Sequence, residues 1–545
     1  MNPHTAPALA ALLALAVAGC DRPKKDEPPP APEPKSAAVA TDPHLPAGIA
    51  WYDGDVDAAF TAAKAANKPV FLYWGAEWCP PCAQIKSTIF NKREFQDRAR
   101  LFVPVYLDGD TPRAQKHGER FGVVGYPTMI LFRPDGTEIT RLPGGVDVAR
   151  YATILDVALE RARPVREIVA AARSGGEVST SDWRLLAYYS WGTDVDGRAL
   201  PADQRLPTLR TLSARCPAEL AGECARLFFE YLNAAVATST AGHAAFDGLE
   251  RADARRRLLA LLPNAAVQSS NVDNLLYGAK DVVALLSDPG TAERRELTRA
   301  WGTALDRVGG APANANPLSA PERLLLVRAR VMLAKLDAPD APLPAALLDQ
   351  ARQAVAAVDA QTTDGYARQA AINAAANLYW EAGLADEANT LLTAELERSK
   401  SPYYFMLDLA DLAEKAGRKQ DAVQWLARAY EGAQGPATRF QWGYNYLVGM
   451  LEMTPEDTAG IERAGLAVLG ELDGAPDAFY QRTRMRLEQL DSRLLEWGHD
   501  GDAAKVVATL RARTQQICGK LPADDPGRRS CERFLNPDAK TTRSA

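Results

Sequence analysis

Apolar residues follow two rhythms along this chain, and the change between them lies near residue 165. Before it, short continuous apolar runs alternate with stretches of helical period. Val70-Phe71-Leu72-Tyr73-Trp74 has the pattern of a buried strand, and Leu101 to Leu107 and Met129 to Phe132 repeat it. Pro134-Asp135-Gly136 supplies the residues of a tight turn, from which a short strand returns at Glu138 to Leu142. Helices are predicted around these strands. One is the Ala-rich run Ala58 to Ala66, and another carries Ile85, Ile89 and Phe90 at helical spacing. A third piece contains Phe121, and a last helix runs from about Val148 to Arg161. The predicted order is β-α-β-α-β-β-α behind an N-terminal helix, an α/β unit with a central mixed sheet over 49–165.

Beyond residue 165, alanine, leucine and arginine dominate and β-branched runs become rare, which predicts all-α regions at 166–340 and 341–536. Helical periodicity is clear in Arg255–Leu262, Pro321–Leu336, Leu343–Val358 and Ala367–Ala382. A period of 34 residues relates Gly383 to Gly417, Ala388 to Ala422, Leu392 to Leu426 and Pro402 to Pro436. Leu378 and Leu412, and Glu387 and Asp421, keep the same interval. This pattern resembles the tetratricopeptide repeat. On that reading the glycine ends one helix, the alanine lets two helices approach closely, and the proline stops the second. A stacked array offers a concave face, so partner docking is the functional expectation and a purely structural helical domain the alternative. Tyr403-Tyr404-Phe405 and Tyr430 read as core packing. Residues 537–545 read as a disordered tail.

Upstream of the first predicted helix the chain reads as an address and a tether. Ala8 to Ala18, ALAALLALAVA, is eleven apolar residues, against about twenty needed to span a bilayer. It has the length of a signal-peptide core and ends in Val17-Ala18-Gly19-Cys20, which resembles a bacterial lipobox. That resemblance makes 1–20 a lipoprotein signal and Cys20 the lipidated residue; a plain secretory signal is the alternative. Residues 21–48 hold eight prolines and no apolar period, the composition of an extended, disordered tether. Either signal places the mature chain outside the cytoplasm, in a bacterial periplasm or envelope, where disulfides persist.

Composition narrows the function classes. Across 545 residues, 47% hydrophobic and 24% charged is a globular balance, and it excludes a disordered chain, a fibre or a polytopic membrane protein. A net charge of −6 gives no nucleic-acid footprint. The histidines at 4, 44, 117, 243 and 499 are too scattered for a histidine-built metal site, and no metal or other cofactor is expected.

The cysteines carry the chemistry. Strand, then Trp78-Cys79-Pro80-Pro81-Cys82 at a helix start, is the order of a dithiol redox motif. A thiolate, not a thiol, attacks a disulfide, and unpaired N–H groups in a helix's first turn stabilise that charge on Cys79. Two intervening residues put Cys82 one turn on, within reach of the mixed disulfide, and prolines cost little where N–H groups are unpaired anyway. A structural disulfide would not explain Trp78, and a zinc site lacks a second ligand pair. Copper transfer lacks a His or Met cluster beside the motif. Cys216 with Cys224, and Cys518 with Cys531, have the spacing of local staples between adjacent helices, with other pairings open.

Residues 50–165 resemble the thioredoxin superfamily, most closely its extracytoplasmic thiol:disulfide interchange members of the DsbD C-terminal-domain type. The resemblance rests on WCPPC and on Pro127, about 45 residues on, at the opening of a strand. It implies Cys79 as nucleophile, Cys82 as resolving thiol and Pro127 as a cis-proline facing the pair. It also implies that Trp78 and Tyr126 line the surface where a substrate strand is held. The family's buried aspartate and lysine have no counterparts at Phe71-Leu72-Tyr73 and Phe102-Val103-Pro104-Val105. Glu77 and Asp108 are the candidates for proton handling, with ordinary surface acids as the alternative. The expected protein is a membrane-tethered thiol:disulfide oxidoreductase acting on protein substrates with a separate redox partner, its helical region docking partners. The rival is a helical interaction scaffold carrying a minor or vestigial redox domain.

Overall fold

A computed structural model describes residues 45–160, 163–310 and 317–536. The signal segment, Cys20, the tether up to residue 44 and the tail after 536 lie outside the described residues.

Strands β1 (Val70–Gly75), β2 (Val103–Asp108), β3 (Thr128–Phe132) and β4 (Glu138–Leu142) form one sheet in the order β2-β1-β3-β4. β2 runs parallel to β1, whereas β3 is antiparallel to both β1 and β4, so the sheet is mixed. Every residue of β1 is buried, as its unbroken apolar run requires of a strand covered on both faces. Phe71 and Tyr73 pack on one face with Phe90 and Phe95. Val70, Leu72 and Trp74 pack on the other with Phe121 and Phe132, following the two-residue period of a strand.

Five helices cover the sheet: α1 (Val56–Ala66), α2 (Pro80–Ile85), α3 (Arg93–Ala99), α4 (Pro112–Phe121) and α5 (Val148–Leu159). α2 continues as a π-helical turn, Lys86–Phe90. The register fixes what meets at one end of the sheet. Gly75 pairs with Asp108, and Trp74 pairs with both Leu107 and Thr128. The end of β1, the end of β2 and the start of β3 therefore converge beside the Cys79–Cys82 segment.

The remaining described residues are mostly helical. The boundary near 165 marks a change of secondary structure and not a gap in packing. One apolar core runs from Ile49 and Phe71 through Leu155 and Ile168 to Leu186, Phe229 and Trp301. The 34-residue period corresponds to two helix pairs, Gly365–Ala382 with Ala385–Glu395 and Pro402–Lys415 with Lys419–Gly432. Gly383 and Gly417 adopt φ of 78° and 75°, the left-handed conformation that ends the first helix of each pair. Ala388 and Ala422 are fully buried, where a larger side chain would hold the helices apart. The prolines act differently from the sequence expectation. Pro402 and Pro436 do not stop helices; each is the first residue of the next one, where its missing N–H is unneeded and its fixed φ suits a helix start. Among the described residues, no helix is long and apolar enough to cross a membrane.

Candidate active site

Cys79 is the N-cap residue of α2, with extended backbone, and Pro80 and Pro81 open the helix. The Cys82 N–H donates to Cys79 Sγ at 3.2 Å, so a first-turn amide points at the sulfur. A thiolate there would keep that donor and the positive end of the helix dipole, both of which lower a thiol's pKa. Cys79 and Cys82 are joined as a disulfide with their Cα atoms 5.2 Å apart. Both are buried, Cys79 at 2% exposure and Cys82 at 0%. The Tyr126–Pro127 peptide is cis. Pro127 lies at the end of β3 that faces α2: a Cβ on Gly144 would sit 3.2 Å from Ile85 of α2 and 3.9 Å from the Pro127 ring.

Trp78 holds the centre of the site, at 6% exposure. Its Nε1 donates to Asp110 Oδ1 at 2.9 Å and lies 3.0 Å from Thr438 Oγ1. Tyr404 stacks near-parallel on its ring at 6.1 Å, Trp442 meets it edge-on at 4.8 Å, and the Arg482 guanidinium lies 5.3 Å from it. Gln369 Nε2 donates to the Trp78 carbonyl at 3.4 Å. Trp78, with Ala76, Cys79 and Cys82, thus packs into an apolar core whose other buried members come from the helical region, Tyr403 to Leu535.

These contacts belong to a wider seam. The Ala437 N–H donates to the Asp110 carbonyl, the Gln481 N–H to Glu119 and the Arg482 N–H to Gln115 Oε1, at 3.2, 3.0 and 3.1 Å. Gln481 holds φ of 46°, a left-handed backbone unusual for a residue with a side chain. Its amide donates to the Val123 carbonyl, three residues before Tyr126. Lys86, on the turn that prolongs α2, is buried, with its ammonium 5.0 Å from the Tyr366 ring and 5.9 Å from that of Tyr106.

The acids sort themselves by position. Asp108 ends β2, and its carboxylate accepts the Asp110 N–H at 3.0 Å. Asp110 is the carboxyl that reaches Trp78. Burial, then the charge of Asp108, pushes the Asp110 carboxyl up to about 8. Glu77 contributes to the same negative field from the loop before the motif. Tyr126 donates to the Gly109 carbonyl at 3.3 Å and accepts from Gln115 Nε2 at 2.8 Å, and burial pushes its hydroxyl up to about 12.

Sequence reasoning located the cysteine pair, Trp78, Tyr126 and Pro127, which the fold brings to one place. It missed Asp110, Tyr404, Trp442 and Arg482. Asp110 left one trace, as the second acid of the loop Asp108-Gly109-Asp110 before α4. The other three read as ordinary helical residues. Cys216–Cys224 and Cys518–Cys531 are both disulfides, remote in sequence from the motif. Among the described residues, no cluster of His, Cys, Asp and Glu side chains is arranged to hold a metal.

Residues 56–159 match the thioredoxin-like domain family. "Thiol:disulfide interchange protein DsbD 1" of Pseudomonas aeruginosa is 31% identical over 110 residues, 19% of this chain and 19% of that protein. The thioredoxin of the same organism is 30% identical over 93 residues, covering 17% of this chain and 80% of thioredoxin. That of Mycobacterium bovis is 36% identical over 90 residues, covering 16% of this chain and 72% of thioredoxin. The match therefore spans about a fifth of the interchange protein but most of each thioredoxin. With the sheet, the cysteine pair at the start of α2 and the cis-proline in place, this chain belongs, through residues 56–159, to the thioredoxin family.

Proposed function

We propose that this protein is an extracytoplasmic, membrane-tethered thiol:disulfide oxidoreductase that exchanges disulfides with protein substrates. The observation that carries this reading is the Cys79–Cys82 disulfide at the start of α2, with an amide N–H on Cys79 Sγ. In the dithiol form the Cys79 thiolate attacks one sulfur of a substrate disulfide. That bond breaks, a mixed disulfide forms, and the departing thiolate takes up a proton. Cys82, deprotonated, then attacks Cys79 Sγ, which re-forms the Cys79–Cys82 bond and releases the second substrate thiol. Two electrons pass to the substrate, and the reverse sequence oxidises a substrate dithiol. Cys20 would carry the lipid, residues 21–48 the tether, and the helical region would select partners. The likeness to an interchange protein and the signal-like N-terminus support the compartment.

The burial of Cys79 at 2% exposure favours a second reading, an interaction protein whose redox domain is sealed and vestigial. A Cys82→Ala chain separates the two, because without the resolving thiol the Cys79 mixed disulfide persists. We expect Cys82→Ala to accumulate covalent, reductant-sensitive adducts on non-reducing gels. Adducts no more abundant than those of the Cys79→Ala, Cys82→Ala chain leave only the second reading. For the tether, Cys20→Ser should move the protein from the membrane to the soluble fraction, and unchanged fractionation rejects lipidation at Cys20.

A further inference from the structure

Among the described residues, an opening beside Cys79 lies between the redox domain and the helices that cover Trp78. It is a groove of about 400 Å³, with Cys79, Pro80, Pro81 and Gly125 on the redox-domain side and Tyr404, Arg482, Met485 and Arg486 opposite. Its size suits a small molecule or a few residues of extended chain, and not the face of a folded domain. No Asp or Glu is among the residues that line it, while two arginines are, one helical turn apart on the Gln481–Trp497 helix.

Neither arginine is neutralised by an ion pair among the described residues. Arg482 is half-buried with its guanidinium 5.3 Å from the Trp78 ring and 5.2 Å from the Tyr126 ring. Arg486 sits 5.0 Å from the Tyr444 ring and donates to Gln489 Oε1 at 2.9 Å. Aromatic faces and amides hold a guanidinium in place without cancelling its charge. The carboxyl with the largest field at Arg482 is Asp110, and burial pushes that group up to about 8. Two positive charges therefore face a groove beside Cys79 whose lining residues include no carboxylate. On the same side, the Val124 peptide groups have no hydrogen-bond partner among the described residues, and they border the groove. A passing backbone could pair with them.

We propose that the substrate of Cys79 is a cysteine in a flexible, extended protein segment with carboxylates beside the cysteine, selected by Arg482 and Arg486. The inference rests on the dithiol chemistry proposed above and adds the substrate class. The helical region thus builds one wall of the active site and supplies the charges that discriminate between substrates.

The test uses the full chain with Cys79 and Cys82 reduced and the reductant removed. It is mixed with disulfide-linked nonapeptides whose central cysteine is flanked by Asp and Glu, by Asn and Gln, or by Lys. The second-order rate of dithiol oxidation is read for each. Electrostatic steering predicts acidic peptides faster than basic ones by roughly tenfold or more at low salt, with the ratio falling toward one at high salt. Arg486→Glu should bring the ratio below one, and Arg482→Gln should reduce it, a change that mere loss of stability would not produce. A ratio of one or less in the unaltered chain, or a ratio that Arg486→Glu leaves in place, overturns the proposal. A tripeptide disulfide of the same charge reacting faster than the acidic nonapeptide also overturns it, in favour of a small anionic disulfide. If the neutral peptide fails to oxidise the dithiol at all, the redox reading itself falls, and the charge selection with it.

Discussion

The described residues contain three disulfides, and comparing Cys79–Cys82 with the other two sets the proposed reactive bond against the two proposed staples. Burial alone does not separate them, since Cys518 and Cys531 are as buried as the active pair. The difference lies in what surrounds the sulfur. Cys79 caps a helix, receives an amide N–H and borders a groove. Cys518 is the last residue of the Gly501–Cys518 helix, where carbonyls gather, and it packs into an apolar core with Ile517, Phe534 and Leu535. A thiolate at a helix C-terminus meets the negative end of the dipole. Cys216 follows the last residue of the Ala202–Arg215 helix and joins it to the first turn of Ala221–Thr240 through Cys224. Between Cys79 and Cys518 the lesson is that helix ends of opposite polarity surround the same covalent bond; Cys216–Cys224, half-buried and with Cys224 in a first turn, is set apart by lacking the Trp-Cys-Pro-Pro-Cys motif and its groove.

If that contrast is right, removing the staples costs stability, whereas opening the active pair costs activity. The largest stability loss should come from Cys518→Ala with Cys531→Ala. A 13-residue separation corresponds to about 3 kcal/mol by chain entropy. Cys216→Ala with Cys224→Ala, closing a shorter loop of separation 8, should cost about 2.5 kcal/mol. Denaturant unfolding measures both, and losses below about 0.5 kcal/mol for either pair would remove it from the staples. Any residual thiol exchange in Cys79→Ala that either double substitution abolishes would break the comparison outright.

The smallest effect concerns the acid beside Trp78. Asp110 is held up to about 8 in the fold, chiefly by burial, against an ordinary value of 3.8. The folded chain therefore binds a proton that the unfolded chain releases between those two values. Its stabilising contribution is complete below about pH 4 and is lost as pH rises through about 8. Asp110→Asn keeps an oxygen for the Trp78 N–H but has no proton to lose. Its stability should fall less between pH 4 and pH 8 than that of the unaltered chain. Parallel curves for the two would show that Asp110 ionises freely in the fold.

Much of the α/β unit was legible because its signals are local. A five-residue apolar run is a strand covered on both faces, and Cys-Pro-Pro-Cys after it is a helix start whatever packs nearby. Pro127 was legible for the same reason, as a proline at a strand opening. The helical region was legible as helices and as a 34-residue interval, yet the role of its prolines was misread. A proline that ends one helix and one that begins the next occupy almost the same sequence position, and only the backbone distinguishes them. Tyr404 illustrates the deeper limit. Its place beside Tyr403 and Phe405 marks it as core packing, yet it is half-buried, with Trp78 stacked on its ring as well as Phe405 edge-on.

Local sequence set the parts on which the proposed chemistry rests: the motif, its strand and helix, and the order of elements that brings a proline to the cysteines. Those depend on backbone propensities and on neighbours within a few residues. Only the tertiary structure decided the environment in which that chemistry runs. Thr438, Trp442 and Arg482 stand more than 350 residues from Trp78 along the chain, and only folding brings Asp110 and Thr438 together at the Trp78 N–H. Helical periodicity tells which face of a helix is apolar, but not which distant surface that face will meet. The access, the charge and the proton affinity at the active site come from that meeting.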